Sequence, residues 1–194
     1  NGSGSIAGLS VGGLGSGVVN TATLANGAAT GAKLGLPSGS VIQVINLVKT
    51  DPVSLTMTTS FQDISGFTIS ITPTSANSKI ILSGSIVLES HQQYCFGKFI
   101  RSINGGSYSS PTGWLGDGSG SRQQSQFGNN FRSPGSPDAV TPCPMAIYAV
   151  DTDHNTTNSI NYKLQYKNHA GSSYTINFNR SHSDANNNYN PRSC

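Results

Sequence analysis

The chain has 194 residues and a mass of 20.1 kDa, which suits one domain with an appendage or two small domains. Charged residues make up only 10% of it, against about 25% in a typical soluble domain, and the net charge is +3. Lysine and arginine are scattered and no apolar stretch approaches ~18 residues, so we expect neither a nucleic-acid partner nor insertion into a membrane.

The composition predicts an all-β chain. Glycine, serine, threonine and asparagine are abundant, whereas glutamate occurs once, as Glu89. Helix surfaces favour Glu, Lys, Gln and Ala, while Ser, Thr, Asn and Gly compete with the helical backbone or cost entropy in it. Threonine, valine, isoleucine and the aromatic residues favour strands, and glycine, asparagine and proline favour the turns between them.

The first 39 residues differ from the rest because glycine recurs every few positions, with isolated apolar residues between. Such a segment cannot bury enough apolar surface alone to offset its ordering cost. It is either a flexible linker or a segment ordered by identical copies that wind around it. The regular apolar spacing favours an extended shaft over residues 1–39, in which glycine allows close approach of the copies. The chain does not begin with methionine, and we expect a processed chain or a fragment.

Residues 40–194 are predicted to form an antiparallel β-sandwich knob, similar to a jelly roll. In 67–72, apolar and polar residues alternate, which is typical of a sheet with one solvent-facing side. The stretches 41–49 and 79–89 are apolar on both faces and require a second layer or a neighbouring subunit. The predicted strands lie near 41–49, 53–60, 67–72, 79–89, 94–103, 144–151, 159–167 and 172–180.

A long loop is predicted at 104–142, and loops of this length are usually functional or disordered. Its aromatic residues argue against disorder. Trp114, beside glycines, can offer a ring face to a sugar while neighbouring polar side chains supply hydrogen bonds. In the alternative, Trp114 anchors the loop in the core or at a subunit interface. The candidate receptor-binding residues are Tyr108, Trp114, Asp117, Arg122 and Gln123.

No catalytic or metal motif emerges from the sequence. The acidic residues mostly occupy turn contexts, although a glycosidase pair of carboxylates can still assemble across copies of the chain. Asp151 and Asp153 open like a calcium loop, but Thr156 and Tyr162 stand where such a loop has glycine and glutamate, so a strand-to-strand turn is favoured. We expect no enzyme, no cofactor and no bound metal.

The cysteines Cys95, Cys143 and Cys194 are an odd, sparse set and make a poor disulfide framework. They fit a protein that folds in a reducing cytoplasm. The simplest interpretation is two small buried side chains and a terminal thiol.

Two segments resemble bacteriophage tail fibres and related virion appendage proteins. The segment VVNTATLANGAATGAKLG, residues 18–35, resembles loose repeats of fibre shafts. The segment TTSFQDISGFTISITPTSANSKIILSGSIVL, residues 58–88, resembles the start of β-domains in phage virion proteins. With looser similarity over 18–48, the resemblance covers about a third of the chain, and no motif for a receptor site carries over.

The resemblance implies a homotrimer with an extended N-terminal shaft and a C-terminal β-sandwich tip similar to tumour-necrosis-factor-like trimers. The implied function is attachment to a host surface glycan or outer-membrane protein, with other virion proteins joined on the N-terminal side. The implied location is a tail or head appendage of the virion, assembled in the host cytoplasm. Two alternatives stay open: a purely structural head fibre or capsid decoration, and a tailspike-like enzyme that degrades polysaccharide.

Overall fold

The computed structural model describes residues 35–37, 39–90, 94–111, 113–130, 142–169 and 174–180. The chain divides into two compact units, Asn1–Val44 and Ile45–Cys194, and each is described by itself. Of the first unit only residues 35–37 and 39–44 are described. The shaft predicted over residues 1–39 therefore lies almost entirely outside the described residues.

The second unit consists of strands and connecting loops, and the described part of the chain contains no helix. The strands are β1 (Val53–Met57), β2 (Gln62–Ile71), β3 (Ile80–Ser90), β4 (Tyr94–Ile103), β5 (Phe127–Asn130), β6 (Cys143–Asp151), β7 (Ile160–Asn168) and β8 (Tyr174–Phe178). They form two four-stranded antiparallel sheets, ordered β1-β8-β3-β6 and β2-β7-β4-β5. Only the connection from β4 to β5 stays within one sheet, and every other connection crosses to the opposite sheet.

The two sheets pack face to face around an apolar core, and the predicted all-β fold with two antiparallel sheets is confirmed. Strand β7 illustrates the cause, because every second side chain points inward and is fully shielded from solvent. These inward residues are Ile160, Tyr162, Leu164 and Tyr166. The main cluster joins Leu164 and Tyr166 to buried side chains of both sheets, among them Met57 and Phe178. A second, smaller apolar cluster contains Ile160, Tyr162 and Ile80. Full burial of each large apolar side chain contributes roughly 1.5–3 kcal/mol to folding.

The cysteine prediction holds for the one cysteine in the core. Cys95 is buried in β4 and free, and burial raises the pKa of its thiol to about 11, so it behaves as a small apolar side chain. Cys143 is also free and only half-buried. Cys194 lies outside the described residues.

The strand predicted over 41–49 is wrong, because these residues form no ladder with any described strand. A stretch that is apolar on both faces forms a strand only where a partner supplies backbone hydrogen bonds and burial. Here the apolar side chains at positions 41–48 are exposed instead of covered.

Two further differences concern β5 and β2. The short strand β5 lies inside the stretch 104–142 that was predicted to be a loop, because FGNN carries no alternating pattern. Strand β2 begins at Gln62 rather than near residue 67. A register shift between Asp63 and Thr68, with Gly66 at φ +82°, interrupts the period of two and conceals the first half of the strand.

Candidate binding surface

The long loop between β4 and β5, residues 104–126, covers an otherwise open strand edge. Strand β5 pairs only with the first four residues of β4. Farther along β4, Ser109 exchanges two backbone hydrogen bonds of 2.9 Å with Arg101, and the N–H of Gln126 donates to the carbonyl of Gly97 at 3.1 Å. The unpaired backbone N–H and C=O groups of an edge strand can pair with other chains, and the loop forms hydrogen bonds with such groups on β4.

Trp114 anchors this loop to the sandwich. Its Nε1 donates a hydrogen bond of 3.0 Å to the carbonyl of Val150 on β6, the edge strand of the other sheet. Its ring stacks on Tyr162 with a centroid separation of 6.2 Å and an interplanar angle of 17°. The partly buried ring packs against both apolar clusters. These contacts match the anchoring alternative that the sequence left open.

Replacing Trp114 by alanine is expected to lower the free energy of unfolding by about 2 kcal/mol, because a half-buried ring and one hydrogen bond are lost. Replacement by phenylalanine retains the stacking and is expected to cost about 1 kcal/mol. Urea unfolding measures both, with Tyr108→Ala as an exposed aromatic control. Unchanged stability of Trp114→Ala, combined with lost adsorption to cells, would instead assign the ring to a receptor.

The tip of the loop is a small hairpin open to solvent. The N–H of Gly116 donates to the carbonyl of Ser125 at 3.3 Å, and Nε2 of Gln124 donates back to the carbonyl of Gly116 at 2.8 Å. Three of the candidate residues project from this exposed tip: Asp117, Arg122 and Gln123. The fold thus groups them in a solvent-facing turn, while Trp114 lies at the anchored base of the loop.

Tyr108 and Gln123 both reach lysines on the outer face of β7. The ammonium of Lys163 lies 4.3 Å from the centroid of the Tyr108 ring and 2.8 Å from Oδ2 of Asp63. Oε1 of Gln123 accepts a hydrogen bond from the ammonium of Lys167. The loop therefore brings two of its candidate residues onto the solvent-facing side of the sheet β2-β7-β4-β5.

The outer face of this sheet carries a group of lysines that no local sequence pattern indicated. Lys98 of β4 pairs with Gln165 of β7, so its side chain lies on the same face as Lys163 and Lys167. The only signal in the sequence was the polar half of the alternation in β7. Because no basic run was present, the scattered lysines were not recognised as neighbours.

A charged network surrounds Asp151, the last residue of β6. Arg101 bonds to the carboxylates of both Asp151 and Asp153, the latter at 2.7 Å. The hydroxyl of Tyr162 donates to Oδ2 of Asp151 at 2.6 Å, and Asp151 is fully buried. Burial by itself would raise the pKa of Asp151, but the hydrogen bonds from Arg101 and Tyr162 and the charge of Arg101 hold that pKa below its ordinary value. Burial and the bond to Asp151 raise the pKa of Tyr162, which remains the donor.

Asp151, Asp153 and Asn155, the residues of the calcium-loop hypothesis, belong to this network and to the turn that follows β6. Both carboxylates face Arg101, and the side-chain amide of Asn155 donates to the carbonyl of Asp153 at 3.0 Å. Asn155 itself has φ +46°, as in a tight turn. This geometry is that of the strand-to-strand turn which the sequence favoured. Within the described ranges, no three His, Cys, Asp or Glu side chains are grouped so that they could hold a metal ion.

The fold and this surface define the chain as an antiparallel β-sandwich protein with a loop-covered strand edge and a lysine-bearing sheet face. Comparisons with known protein families, with curated proteins and with solved structures each find no match for this chain. Among the residues that the structure describes, none belongs to a helix long and apolar enough to cross a membrane.

Proposed function

We propose that this chain is a non-enzymatic structural module of a virion fibre, in which three copies associate and present their β-sandwiches to a host surface. The observation that carries the proposal is an exposed run of apolar side chains, named here the apolar segment. Its members are Val41, Ile42, Val44, Ile45, Leu47 and Val48.

Each of these six side chains is between 41% and 81% exposed. Single apolar residues on a surface are ordinary, but six of them within eight positions are typical of an interface between chains. The segment directly follows the glycine-rich stretch that is suited to close approach of identical copies. A second and third copy of the same chain are therefore the occupants that we propose for it.

The connectivity of the sandwich supports the same proposal. Eight strands ordered β1-β8-β3-β6 and β2-β7-β4-β5, with nearly every connection crossing between the sheets, follow the order of a jelly roll. This is the architecture implied for the tip by the resemblance to virion appendages.

The positions of the described acidic residues favour a non-enzymatic function. A glycosidase needs two carboxyl groups that flank an accessible bond, one of them with a raised pKa. Asp151 and Asp153 are the neighbouring pair here, yet both are bound to Arg101 and the pKa of Asp151 is lowered. Asp63 is bound to Lys163.

The test is the mass of the protein in solution at micromolar concentration, by light scattering or sedimentation. We expect three times the 20.1 kDa of one chain. A monomer would contradict the proposal. A trimer that adsorbs to no bacterial strain in a broad panel would favour the capsid-decoration alternative.

A paired variant locates the association. Val44→Glu/Val48→Glu places two charges on side chains that are 81% and 72% exposed in the single chain, so the β-sandwich itself should remain folded. We expect this variant to sediment as a monomer. The control Thr59→Glu/Ser74→Glu adds the same charge at exposed positions outside the apolar segment and should remain trimeric. If both variants sediment as trimers, the chains associate through a surface other than the apolar segment.

A further inference from the structure

The outer face of the sheet β2-β7-β4-β5 carries a cluster of basic and aromatic side chains, named here the lysine patch. It consists of Lys98, Lys163, Lys167, Phe61, Gln165 and Gln123. The three lysines are separated by up to 69 positions in the sequence, and the pairing of β4 with β7 brings them onto one surface.

Aromatic rings position the ammonium groups of this patch. The Nζ atom of Lys98 lies 4.4 Å from the centroid of Phe61, and that of Lys167 lies 5.4 Å from the same ring. The negative face of an aromatic ring attracts a cation at such distances. Two positive charges thus share one ring, and Gln123 further restrains Lys167 through its hydrogen bond.

The positive charge of the patch is only partly compensated. Asp63 forms an ion pair with Lys163 at 2.8 Å and also accepts from Gln165 at 2.7 Å. Among the described residues, no carboxylate lies within ion-pair distance of Lys98 or Lys167. Burial first, and the charge of Lys167 second, lower the pKa of Lys98. An anion between these two ammonium groups would relieve their repulsion.

We propose that the lysine patch binds the anionic groups of an acidic surface polysaccharide, either carboxylates or phosphates, with Lys98 and Lys167 as the cationic contacts. This inference rests on the proposed attachment function and names the chemical class of its receptor. Phe61 offers an apolar ring beside the charges. The exposed tip of the long loop adjoins the patch, because Gln123 bonds to Lys167 and Arg122 is its neighbour in the sequence.

A polysaccharide fits this surface better than a nucleic acid. A duplex or a long single strand is held by many basic contacts along a continuous track. Here two uncompensated lysines lie beside an aromatic ring and glutamine amides, which is a small mixed surface suited to a sugar bearing one charge. Three copies in one assembly would convert such weak sites into effective attachment.

The experiment is affinity electrophoresis of the folded full chain through gels that contain polygalacturonate, a phosphomannan, duplex DNA or neutral dextran. We expect retardation by one or both acidic polymers and none by dextran. Retardation by polygalacturonate alone assigns carboxylates, and retardation by the phosphomannan alone assigns phosphates. Because exposed ion pairs are weak and screened by salt, binding should disappear at about 1 M salt.

Single variants isolate the contacts. Lys98→Gln and Lys167→Gln should each weaken binding about three- to fivefold, and the double variant about tenfold or more. Lys79→Gln removes the same charge from an exposed residue outside the patch and should bind like the original chain. Asp63→Asn frees Lys163 and should strengthen binding about twofold or more. Equal melting temperatures establish that each variant is folded.

The inference is overturned if the double variant binds as tightly as the original chain, if dextran retards the protein equally, or if duplex DNA retards it more than either acidic polymer. The mass in solution and adsorption to bacterial cells, measured on the same samples, separate this outcome from failure of the fibre proposal. If the protein is a trimer that adsorbs equally with and without the two lysines, the proposed role of the lysine patch is wrong and the fibre proposal stands. If the protein is a monomer that binds acidic polymers through these lysines, the fibre proposal is wrong and the lysine patch is still a binding site.

Discussion

Replacing Arg101 by alanine is expected to lower the free energy of unfolding by about 3 kcal/mol at neutral pH. The reason is the carboxylate that remains, because Asp151 is fully buried and loses the cation that compensates its charge. Tyr162 still donates one hydrogen bond, which keeps the loss below that of an isolated buried charge. Urea unfolding of both proteins at one protein concentration measures the difference.

The pH dependence identifies the cause of this loss. In the original chain the pKa of Asp151 lies below its ordinary value of 3.8, so its contribution is complete above that value and is lost as the pH falls through the lowered pKa. Without Arg101, burial dominates and raises this pKa, so acidification neutralises the unfavourable charge. The difference between the two proteins should therefore be largest near pH 7 and shrink toward pH 3.

Two controls sharpen this prediction. Lys163→Ala removes the exposed ion pair with Asp63 and should destabilise the protein far less than Arg101→Ala, because water screens that pair. Arg101→Met/Asp151→Asn removes both charges and should recover part of the stability lost by Arg101→Ala. A loss that stays constant between pH 3 and pH 7 would attribute the effect to packing of the arginine side chain instead.

Replacing Gly97 by alanine is expected to destabilise the sandwich by about 3 kcal/mol. The added methyl carbon would lie 2.2 Å from Cε2 of Phe127 and 2.7 Å from Cζ of Tyr166, well inside contact distance. Tyr166 is fully buried, and both rings pack against the main apolar cluster. Neither ring can move without disturbing its neighbours, so β5 is expected to detach from β4 or the core to expand.

Gly84→Ala provides the matched control. Gly84 also lies in the middle of a strand, but a methyl carbon there would meet the side chain of Ile147 at 3.7 Å, an ordinary contact. Alanine at this position should be neutral or stabilise by about 0.5 kcal/mol, since glycine loses more entropy in a strand. The double variant Gly97→Ala/Phe127→Ala should be less destabilised than the two single losses combined. Equal effects at Gly97 and Gly84 would contradict the proposed close packing.

Sequence patterns predicted strands well where a strand lies in the middle of the sandwich. Strand β7 alternates without interruption, and its predicted bounds of 159–167 agree with Ile160–Asn168. The pattern failed where its physical basis was missing. Residues 41–49 are apolar on both faces but have no described partner strand. Strand β2 contains four residues opposite one residue of β7 between Asp63 and Thr68.

The candidate surface was predicted only in part. The aromatic and polar loop that the sequence selected as a binding surface stays a prediction, and its tip exposes Asp117, Arg122 and Gln123. The sequence is compatible with two roles for Trp114, a ring that binds a sugar and an anchor for the loop, because a tryptophan in a glycine-rich loop is suited to both. The contact to Val150 lies 36 positions along the chain, beyond the reach of any local pattern.

The amino-acid sequence alone determined that the chain is built from strands, because few charges, abundant Thr, Ser, Asn and Gly, and a period of two are local properties. Where the alternation is uninterrupted, as in β7, it also determined which half of the strand faces the core. Only the tertiary structure decided which distant residues meet: that Arg101 compensates Asp151, that Trp114 secures the loop, and that three scattered lysines share one face. Strand pairing sets these neighbours, and pairing depends on contacts summed over both sheets.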